Sequence, residues 1–351
     1  MRILLTADPI LPVPPLLYGG IERIIDALIT GLRSRGHVIG LVALPESTAT
    51  VDFFAPWPVP QPPQAQLRLE HVSNMRALQC AVRAFRPELL HSFSRLLYLL
   101  PFFLRRQPPM IMTYERAPTY ATTHWASRLA KDSLTFTGCS ADLCRTGQRA
   151  GGVWHPIHNF VEMHKYTFQP HVPQDAPLVF LSRIERIKGT HTAIAIAQRT
   201  GRRLLIAGNH AETGPEGVYW HTEILPHLGQ NGIEYVGPVN DAQKNELLGQ
   251  AAAMIVPIEW EEPFGIVFAE ALACGTPVIS APRGALPEIV RQGVDGFLIH
   301  SIEEGCQAVG KLAALDRANC RRQAETCFSE TVILDRYEAL YRQTVQGARS
   351  P

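Results

Sequence analysis

Apolar and polar positions alternate along the chain in blocks that predict a repeated strand–helix pattern. Residues 2–7 form a short apolar run typical of a buried strand. Gly19-Gly20 then open a stretch, 21–37, whose apolar residues recur at helical spacing. The run 37–44 predicts the next strand. A strand, a glycine turn, a helix and a second strand make a βαβ unit, which indicates a parallel sheet.

The rest of the first half continues this pattern around one interruption. Residues 45–66 are rich in Pro and Gln and predict a loop, and a helix is expected near 72–86. Three further strands are expected at 88–93, 109–113 and 134–139. We expect this α/β layer to end near residue 155.

A second α/β pattern follows the polar, proline-punctuated residues 162–176, which predict a linker. The expected strands are 178–182, 203–207, 233–236, 253–257 and 276–280, the last of which closes the run. The expected helices begin near 189 and span 241–251, 264–274 and much of 302–347. In such sheets ligands bind outside the carboxyl ends of the strands, so we expect function in the loops that follow them.

Composition narrows the class of protein. A chain of 351 residues suggests two domains at roughly 100–200 residues each. The seven cysteines are scattered without a CxxC pair, and no apolar run is long enough for a signal or a membrane span. We therefore expect a cytoplasmic protein without structural zinc. A net charge of +1 without a basic-aromatic module disfavours nucleic-acid binding.

Charge is divided unevenly between the halves. Through Lys165 there are 17 lysines and arginines against 11 acids, a net charge of +6, and beyond it 16 against 21, a net charge of −5. Either the basic half meets an anionic acceptor or a membrane surface, or the excess is chance surface composition. The apolar run framed by arginines at 95–106 leaves the same choice between peripheral membrane contact and a buried helix.

The sharpest chemical signal is the segment 262–270, EPFGIVFAE, in which two carboxylates lie eight residues apart. Glu262 precedes a helix whose first amides and dipole favour an anion. Gly265 lets the backbone approach a ligand closely. Glu270 lies two turns into the helix, so the two acids can hold hydroxyl groups at separate places along one elongated ligand. Both acids can instead be structural, although apolar neighbours would make an unpaired Glu270 costly.

Two further segments follow strands. In 182–189, SRIERIKG, Arg183 and Lys188 flank a strand-to-helix turn, where two cations can hold a diphosphate and stabilise it as a leaving group. A solvated basic loop is the alternative. The segment 18–23, YGGIER, is a glycine turn at a helix start that suits phosphate or sugar, but it is not a GxGxxG dinucleotide fingerprint.

Together these three segments resemble glycosyltransferase family 4, the retaining enzymes of the GT-B fold. The resemblance runs along nearly the whole chain, and its most specific part is the Glu-x7-Glu block followed by ALACGTPVI at 271–279. It implies an α/β protein with two Rossmann-like domains whose parallel sheets face each other across a cleft. The implied parts are an acceptor-side domain at 1–165, a nucleotide-sugar-binding domain at 166–330, and a C-terminal helix at 331–351 that crosses back to the first domain.

The resemblance also implies residue roles. Arg183 and Lys188 would bind the donor's diphosphate, and Glu262 would complete the catalytic set by holding the transferred sugar. Donor-binding positions would be Gly19, Gly20, Gly208, Val239, Phe264, Gly265, Ile266 and Glu270, with Glu270 on the ribose hydroxyls and Val239 on the base.

One departure from the family concerns the acceptor side. The family usually carries a histidine near the end of the strand that here reads MTYER at 112–116, where Tyr114 or Glu115 stands instead. Either the acceptor chemistry is adapted, or His91 or His124 substitutes. His91 can equally be a packed histidine at a strand end. We expect His91 and Glu115 on the acceptor side and assign neither as acid or base.

The expected activity is hexosyl transfer with retention from a UDP- or GDP-linked sugar to a carbohydrate, lipid-linked or small-molecule acceptor. The resemblance implies attack from the face of the leaving group, with a β-phosphate oxygen taking the acceptor's proton. No DxD pair or metal-ligand spacing appears, so we expect neither a metal nor a cofactor besides the donor. Two alternatives stay open: an epimerase or hydrolase of sugar nucleotides, and a non-catalytic two-lobed sugar-binding protein.

Overall fold

A computed structural model describes residues 1–16, 19–60, 68–105 and 107–348 of the chain. It divides into two compact units, Met1–His158 with Ile333–Pro351 (unit 1) and Asn159–Val332 (unit 2). Tyr18 of the glycine-turn segment and Arg106 of the arginine-framed run lie outside the described residues. Within those ranges, no helix combines the length and the apolar character needed to cross a membrane.

Unit 1 is built on a parallel sheet. Its strands are β1 Arg2–Thr6, β2 Val38–Ala43, β3 Phe53–Pro56, β4 Leu89–Ser92, β5 Met110–Tyr114, β6 Leu134–Gly138 and β7 Val153–Pro156. They lie in the order β3-β2-β1-β4-β5-β6-β7, with Ile3 of β1 opposite Ile39 on one side and Leu89 on the other. The central strands β1 and β4 are buried almost throughout, which explains their unbroken apolar sequences.

Helices connect these strands as the βαβ pattern predicts. They are α1 Gly20–Ser34, α2 Arg68–Phe85, α3 Leu100–Phe103, α4 Tyr120–Ala130 and α5 Ala141–Gln148. The helices predicted at 21–37 and near 72–86 are thereby confirmed, apart from a few residues at their ends. The arginine-framed run forms a 3-10 turn, Leu96–Leu99, followed by α3, and buries most of its large side chains.

Two edge strands were not expected. β3 lies inside 45–66, so the prediction of a loop there is wrong in part, and Phe53 pairs with Gly40 of β2. β7 closes the opposite edge by pairing with β6. Residues of β3 alternate between half-buried and exposed, so this strand lacks the continuous apolar run that marks the central strands.

Unit 2 repeats the architecture with a second parallel sheet. Its strands are β8 Leu178–Leu181, β9 Leu204–Ala207, β10 Ile233–Gly237, β11 Ala253–Val256, β12 Val278–Ser280 and β13 Gly296–Leu298, in the order β10-β9-β8-β11-β12-β13. The first five were predicted to within two residues. The expectation that 276–280 closes the run is wrong, because β13 pairs with β12, with Gly296 opposite Val278.

The helices of unit 2 end in a segment that returns to unit 1. They are α6 Thr190–Thr200, α7 Gly214–Tyr219, α8 Asp241–Gln250, α9 Ile266–Ala273, α10 Leu286–Ile289, α11 Ile302–Lys311 and α12 Arg317–Gln323. The last helix, α13 Glu330–Gly347, belongs to unit 1 from Ile333 onward. There the Arg35 guanidinium lies 2.7 Å from Asp335, and the Tyr341 hydroxyl lies 2.7 Å from Nδ1 of His91.

Candidate functional site

The carboxyl end of β8 in unit 2 carries the first predicted residues. Arg183 follows the strand, and its guanidinium pairs with Glu185 at 2.6 Å while remaining half exposed. Gly208 follows the neighbouring strand β9 with φ of 141°, and a Cβ there would stand 1.9 Å from the carbonyl oxygen of Ser182. Only glycine therefore lets the two strand ends approach this closely. The structure brings Gly208 beside the Ser182–Arg183 backbone.

Lys188 and Glu262, both predicted as catalytic, form a buried ion pair. Lys188 ends a 3-10 turn, Arg186–Lys188, directly before α6. Its ammonium lies 2.5 Å from Oε2 of Glu262, and each residue is only 8% exposed. Two charges taken out of water need each other, so removing either would leave a buried charge without its counterion.

Trp260 completes this pair. Its indole N–H donates to Oε2 of Glu262 at 3.0 Å, and its ring lies 4.6 Å from the Lys188 ammonium. The carboxylate is thus fixed by two donors, and the ammonium rests against an aromatic face, which stabilises a cation. No pattern in the sequence singles out Trp260, although it stands two residues before Glu262.

The helix predicted to start near Phe264 begins at Ile266. Gly265 caps it with φ of 77°, and a Cβ there would lie 2.6 Å from the Phe268 ring. Phe264 is buried against Phe328, with ring centroids 5.6 Å apart. The buried Phe264 ring anchors the approach to α9, so the backbone between Glu262 and Ile266 is held in one path.

Glu270 lies within α9 and has partners of its own. Its Oε1 accepts hydrogen bonds from the Tyr166 hydroxyl at 2.5 Å and from the Lys244 ammonium at 2.6 Å. The expectation that an unpaired Glu270 would be costly agrees with this pairing. Burial, with the Glu270 carboxylate beside it, raises the pKa of Tyr166, so the phenol stays a proton donor.

Tyr166 and Lys244 were also missed in the sequence. Tyr166 falls in the segment expected to be a linker, and Lys244 sits on α8 without a chemical pattern around it. Val239, predicted to meet the base, is half buried between β10 and the capping residue of α8, Asn240. Across the described parts of the chain, no group of three His, Cys, Asp or Glu side chains is placed to hold a metal ion.

The predicted residues of unit 1 differ in burial: Gly19 and His91 are buried, Glu115 is half-buried and Gly20 is exposed. Gly19 caps α1 and Gly20 is its first residue. His91 is fully buried, with Nδ1 bonded to Tyr341 and Nε2 2.6 Å from Thr113 Oγ1. Burial lowers the pKa of His91 to about 3, so the ring is neutral. In this structure His91 fits the packed alternative better than an acceptor contact.

Glu115 follows β5 and lines a cavity of unit 1. It lies beside the buried Cys139. The pKa of the Cys139 thiol is raised well above its usual value, mainly by burial and to a smaller extent by the Glu115 charge. All seven cysteines of the chain are free thiols.

Two protein-family models match the chain. "Glycosyl transferase 4-like domain" matches residues 19–150, and "Glycosyl transferases group 1" matches residues 166–315. With the two parallel sheets, these matches place the chain among the glycosyltransferases of the GT-B type. The predicted fold class and the predicted class of enzyme are confirmed at that level.

Relatives and solved structures agree with this class. The D-inositol 3-phosphate glycosyltransferase of Mycolicibacterium paratuberculosis is 31% identical over 190 residues, which are 50% of this chain and 42% of that protein. The chain thus matches less than half the length of this relative. Glycogen synthase of Mycobacterium tuberculosis is 24% identical over 100% of this chain and 97% of its own length. The structure of HepE from Anabaena with UDP and glucose superposes with a TM-score of 0.73 at 18% identity, covering 97% of this chain and 99% of that one.

Proposed function

We propose that this protein is a retaining, family 4 glycosyltransferase that transfers a sugar from a UDP- or GDP-linked donor to a hydroxyl group of an acceptor. The observation that carries the proposal is the buried Lys188–Glu262 pair beside the start of α9. A cation, a carboxylate and a helix N-terminus are the groups that a diphosphate and a sugar need.

The cations would serve the leaving group. An ammonium has three N–H donors, and Glu262 takes one of those of Lys188, so Lys188 can also donate to a phosphate oxygen. Arg183 holds Glu185 in a half-exposed pair, which is worth little and would be exchanged for the phosphate. As the bond from the sugar's anomeric carbon to the phosphate oxygen breaks, the negative charge left on the diphosphate would be countered by these groups.

The acceptor oxygen would bond to the anomeric carbon on the face that the phosphate leaves, which retains the configuration. The acceptor's proton would pass to a β-phosphate oxygen. Glu262, with the amides of Phe264, Gly265 and Ile266, would hold the transferred sugar. Glu270, steadied by Tyr166 and Lys244, would accept hydrogen bonds from the ribose hydroxyls.

The comparisons support a UDP-linked donor, since HepE is described in complex with UDP and glucose. They do not select an acceptor, because the relatives carry different names, D-inositol 3-phosphate glycosyltransferase and glycogen synthase. A cytoplasmic location with peripheral membrane contact belongs to the same proposal. Leu104, 83% exposed at the end of the arginine-framed run, supports it. Wild-type protein should sediment with vesicles containing phosphatidylserine, and Leu104→Ser protein should sediment less.

A donor screen followed by product analysis tests the function. UDP, GDP, ADP and their sugar conjugates are compared by thermal shift, because a ligand of the native state raises the melting temperature. The donor that binds is then incubated with and without a panel of glycan and lipid-mimic acceptors. Transfer with the anomeric configuration retained, measured by NMR coupling constants, supports the proposal. Sugar release or epimerisation without acceptor favours the sugar-nucleotide hydrolase or epimerase, and binding without turnover favours a sugar-binding protein.

A further inference from the structure

Unit 1 contains a cavity of about 780 Å³, and none of the residues assigned to donor binding lines it. Its size falls within the roughly 300–1,000 Å³ of small-molecule sites. One side is apolar and includes Leu97, Leu100, Trp125 and Leu129. Each of these four side chains is more than 40% exposed. Large apolar side chains that remain exposed around one cavity mark a binding surface rather than a core.

The other side of the cavity is polar and lies where three neighbouring strands end. Asp8 follows β1, Ser94 follows β4 and Glu115 follows β5, and these strands are adjacent in the sheet. The carboxyl ends of parallel strands are where α/β sheets bind their ligands. The cavity therefore has a polar side, at the strand ends where ligands bind, and an apolar side.

Asp8 is the residue that points to a ligand. Its Oδ1 is buried and has no hydrogen-bond partner within the described residues, while Oδ2 lies 3.7 Å from Nε of Arg95. Burial raises the pKa of Asp8 in spite of the nearby Arg95 and Arg116. Oδ1 itself is closed to solvent, but 16% of the Asp8 side chain remains exposed and Asp8 lines the cavity, so a ligand hydroxyl would donate to the exposed part of this carboxylate.

We propose that this cavity is the acceptor subsite and that the acceptor is an amphiphilic alcohol. Its hydroxyl-bearing head would donate to Asp8, and its alkyl or aromatic group would pack against Leu97, Leu100 and Trp125. The identification of the ligand as the acceptor rests on the proposed function, whereas the chemistry of the ligand follows from the cavity alone.

Calorimetry with two glucosides tests the inference without a donor present. Octyl β-D-glucopyranoside, kept below its micelle concentration, should bind with one molecule per chain. Methyl β-D-glucopyranoside should bind at least about 100-fold more weakly, since each buried methylene strengthens binding about fourfold. Equal affinity for the two glucosides would overturn the assignment.

Variants locate the binding. Thr122→Trp and Leu129→Trp place bulk in the cavity from α4 and should each abolish octyl glucoside binding. Thr50→Trp, at an exposed position outside the cavity, is the matched control and should bind as the wild type does. Asp8→Asn should weaken the affinity about tenfold. Wild-type affinity in both cavity-filling variants, with circular dichroism showing that they are folded, would contradict the proposal.

The two proposals fail separately. If octyl glucoside binds and Thr122→Trp blocks it, but no donor sugar is ever transferred, the proposed function falls, and the cavity stands as a binding site for amphiphilic alcohols but not as an acceptor subsite. If sugar is transferred at the wild-type rate by Thr122→Trp, the cavity is not the acceptor subsite and the proposed function stands.

Discussion

Lys188 and Glu262 lie 74 positions apart in the sequence, yet their side chains meet at 2.5 Å in the interior of unit 2. The contact joins the turn before α6 to the segment before α9. It thereby unites two of the three segments on which the resemblance to family 4 depends. A buried pair of this kind is weak evidence of stability, but it leaves a charge unpaired whenever one partner is removed.

Removing either partner should therefore damage both stability and activity. Lys188→Ala and Glu262→Ala should each lower kcat/KM by about tenfold to a thousandfold, because in the proposed mechanism each would remove a group that stabilises the transition state. Each should also lower the free energy of unfolding by about 3–5 kcal/mol. Donor-dependent initial rates and urea unfolding measure the two effects.

The double variant Lys188→Met/Glu262→Gln separates them. It leaves no buried charge, so we expect most of the lost stability to return while activity stays low. Wild-type activity in either single variant would refute the assignment of the pair to the site.

Glu270 should affect donor affinity more than the chemical step. Glu270→Gln keeps the shape but loses the charge that accepts from Lys244 and that would accept from ribose, so the donor KM should rise about tenfold with kcat nearly unchanged. Tyr166→Phe should raise the KM only about two- to threefold, because the carboxylate keeps Lys244. A fall in kcat without a change in KM would place Glu270 elsewhere in the mechanism.

His91 should make the stability of unit 1 depend on pH. Its pKa is about 3 in the folded state against an ordinary 6.5, so the unfolded chain binds the extra proton between these values. Stability should be complete above pH 6.5 and fall as the pH drops, by on the order of 5 kcal/mol if the fold survives to pH 3.

Urea unfolding between pH 4 and 7.5 measures this dependence. His91→Gln cannot titrate and should show a shallower slope, whereas His164→Gln, at an exposed position, should keep the wild-type slope. Identical slopes for His91→Gln and the wild type would show that another group carries the effect.

Asp8 should lower the stability of the folded protein at neutral pH. Because burial raises its pKa above 3.8, the folded state holds its proton more tightly than the unfolded chain. Its contribution is therefore fully present below pH 3.8 and is lost as the pH rises through the folded-state pKa. Asp8→Asn should melt at a higher temperature than the wild type at pH 7, and the difference should shrink at pH 3.5. A lower melting temperature at pH 7 would mean that the Arg95 contact outweighs burial.

The strands and helices could be predicted from the sequence wherever their burial is one-sided or complete. β1 and β8 are continuous apolar runs because both of their faces are covered, and α1 carries its apolar residues on one stripe. The edge strand β3 could not be predicted, because its side chains are half solvated and leave no continuous apolar run. The Lys188–Glu262 contact and the partners of Glu270 could not be predicted either, since a side-chain contact between distant segments leaves no local pattern in the sequence.

The sequence pointed to chemistry at the ends of strands, but burial decides which side chains can reach a ligand. His91 has the right chemistry and the right place in its strand, yet Tyr341 of the last helix covers it. Asp8 follows a strand as well and carries no motif. Only the structure singles it out, because Asp8 lines the cavity and its buried Oδ1 finds no hydrogen-bond partner among the described residues.

Binding of nucleoside diphosphates to wild-type protein and two lysine variants tests the central claim most directly. Calorimetry with UDP, GDP and ADP should show that at least one binds, and that Lys188→Ala weakens it at least tenfold. Lys311→Ala, at an exposed lysine of α11 in the same unit, should leave it unchanged. If none of the three nucleotides binds, or if Lys188→Ala and Lys311→Ala bind alike, unit 2 does not hold a nucleotide sugar through Lys188.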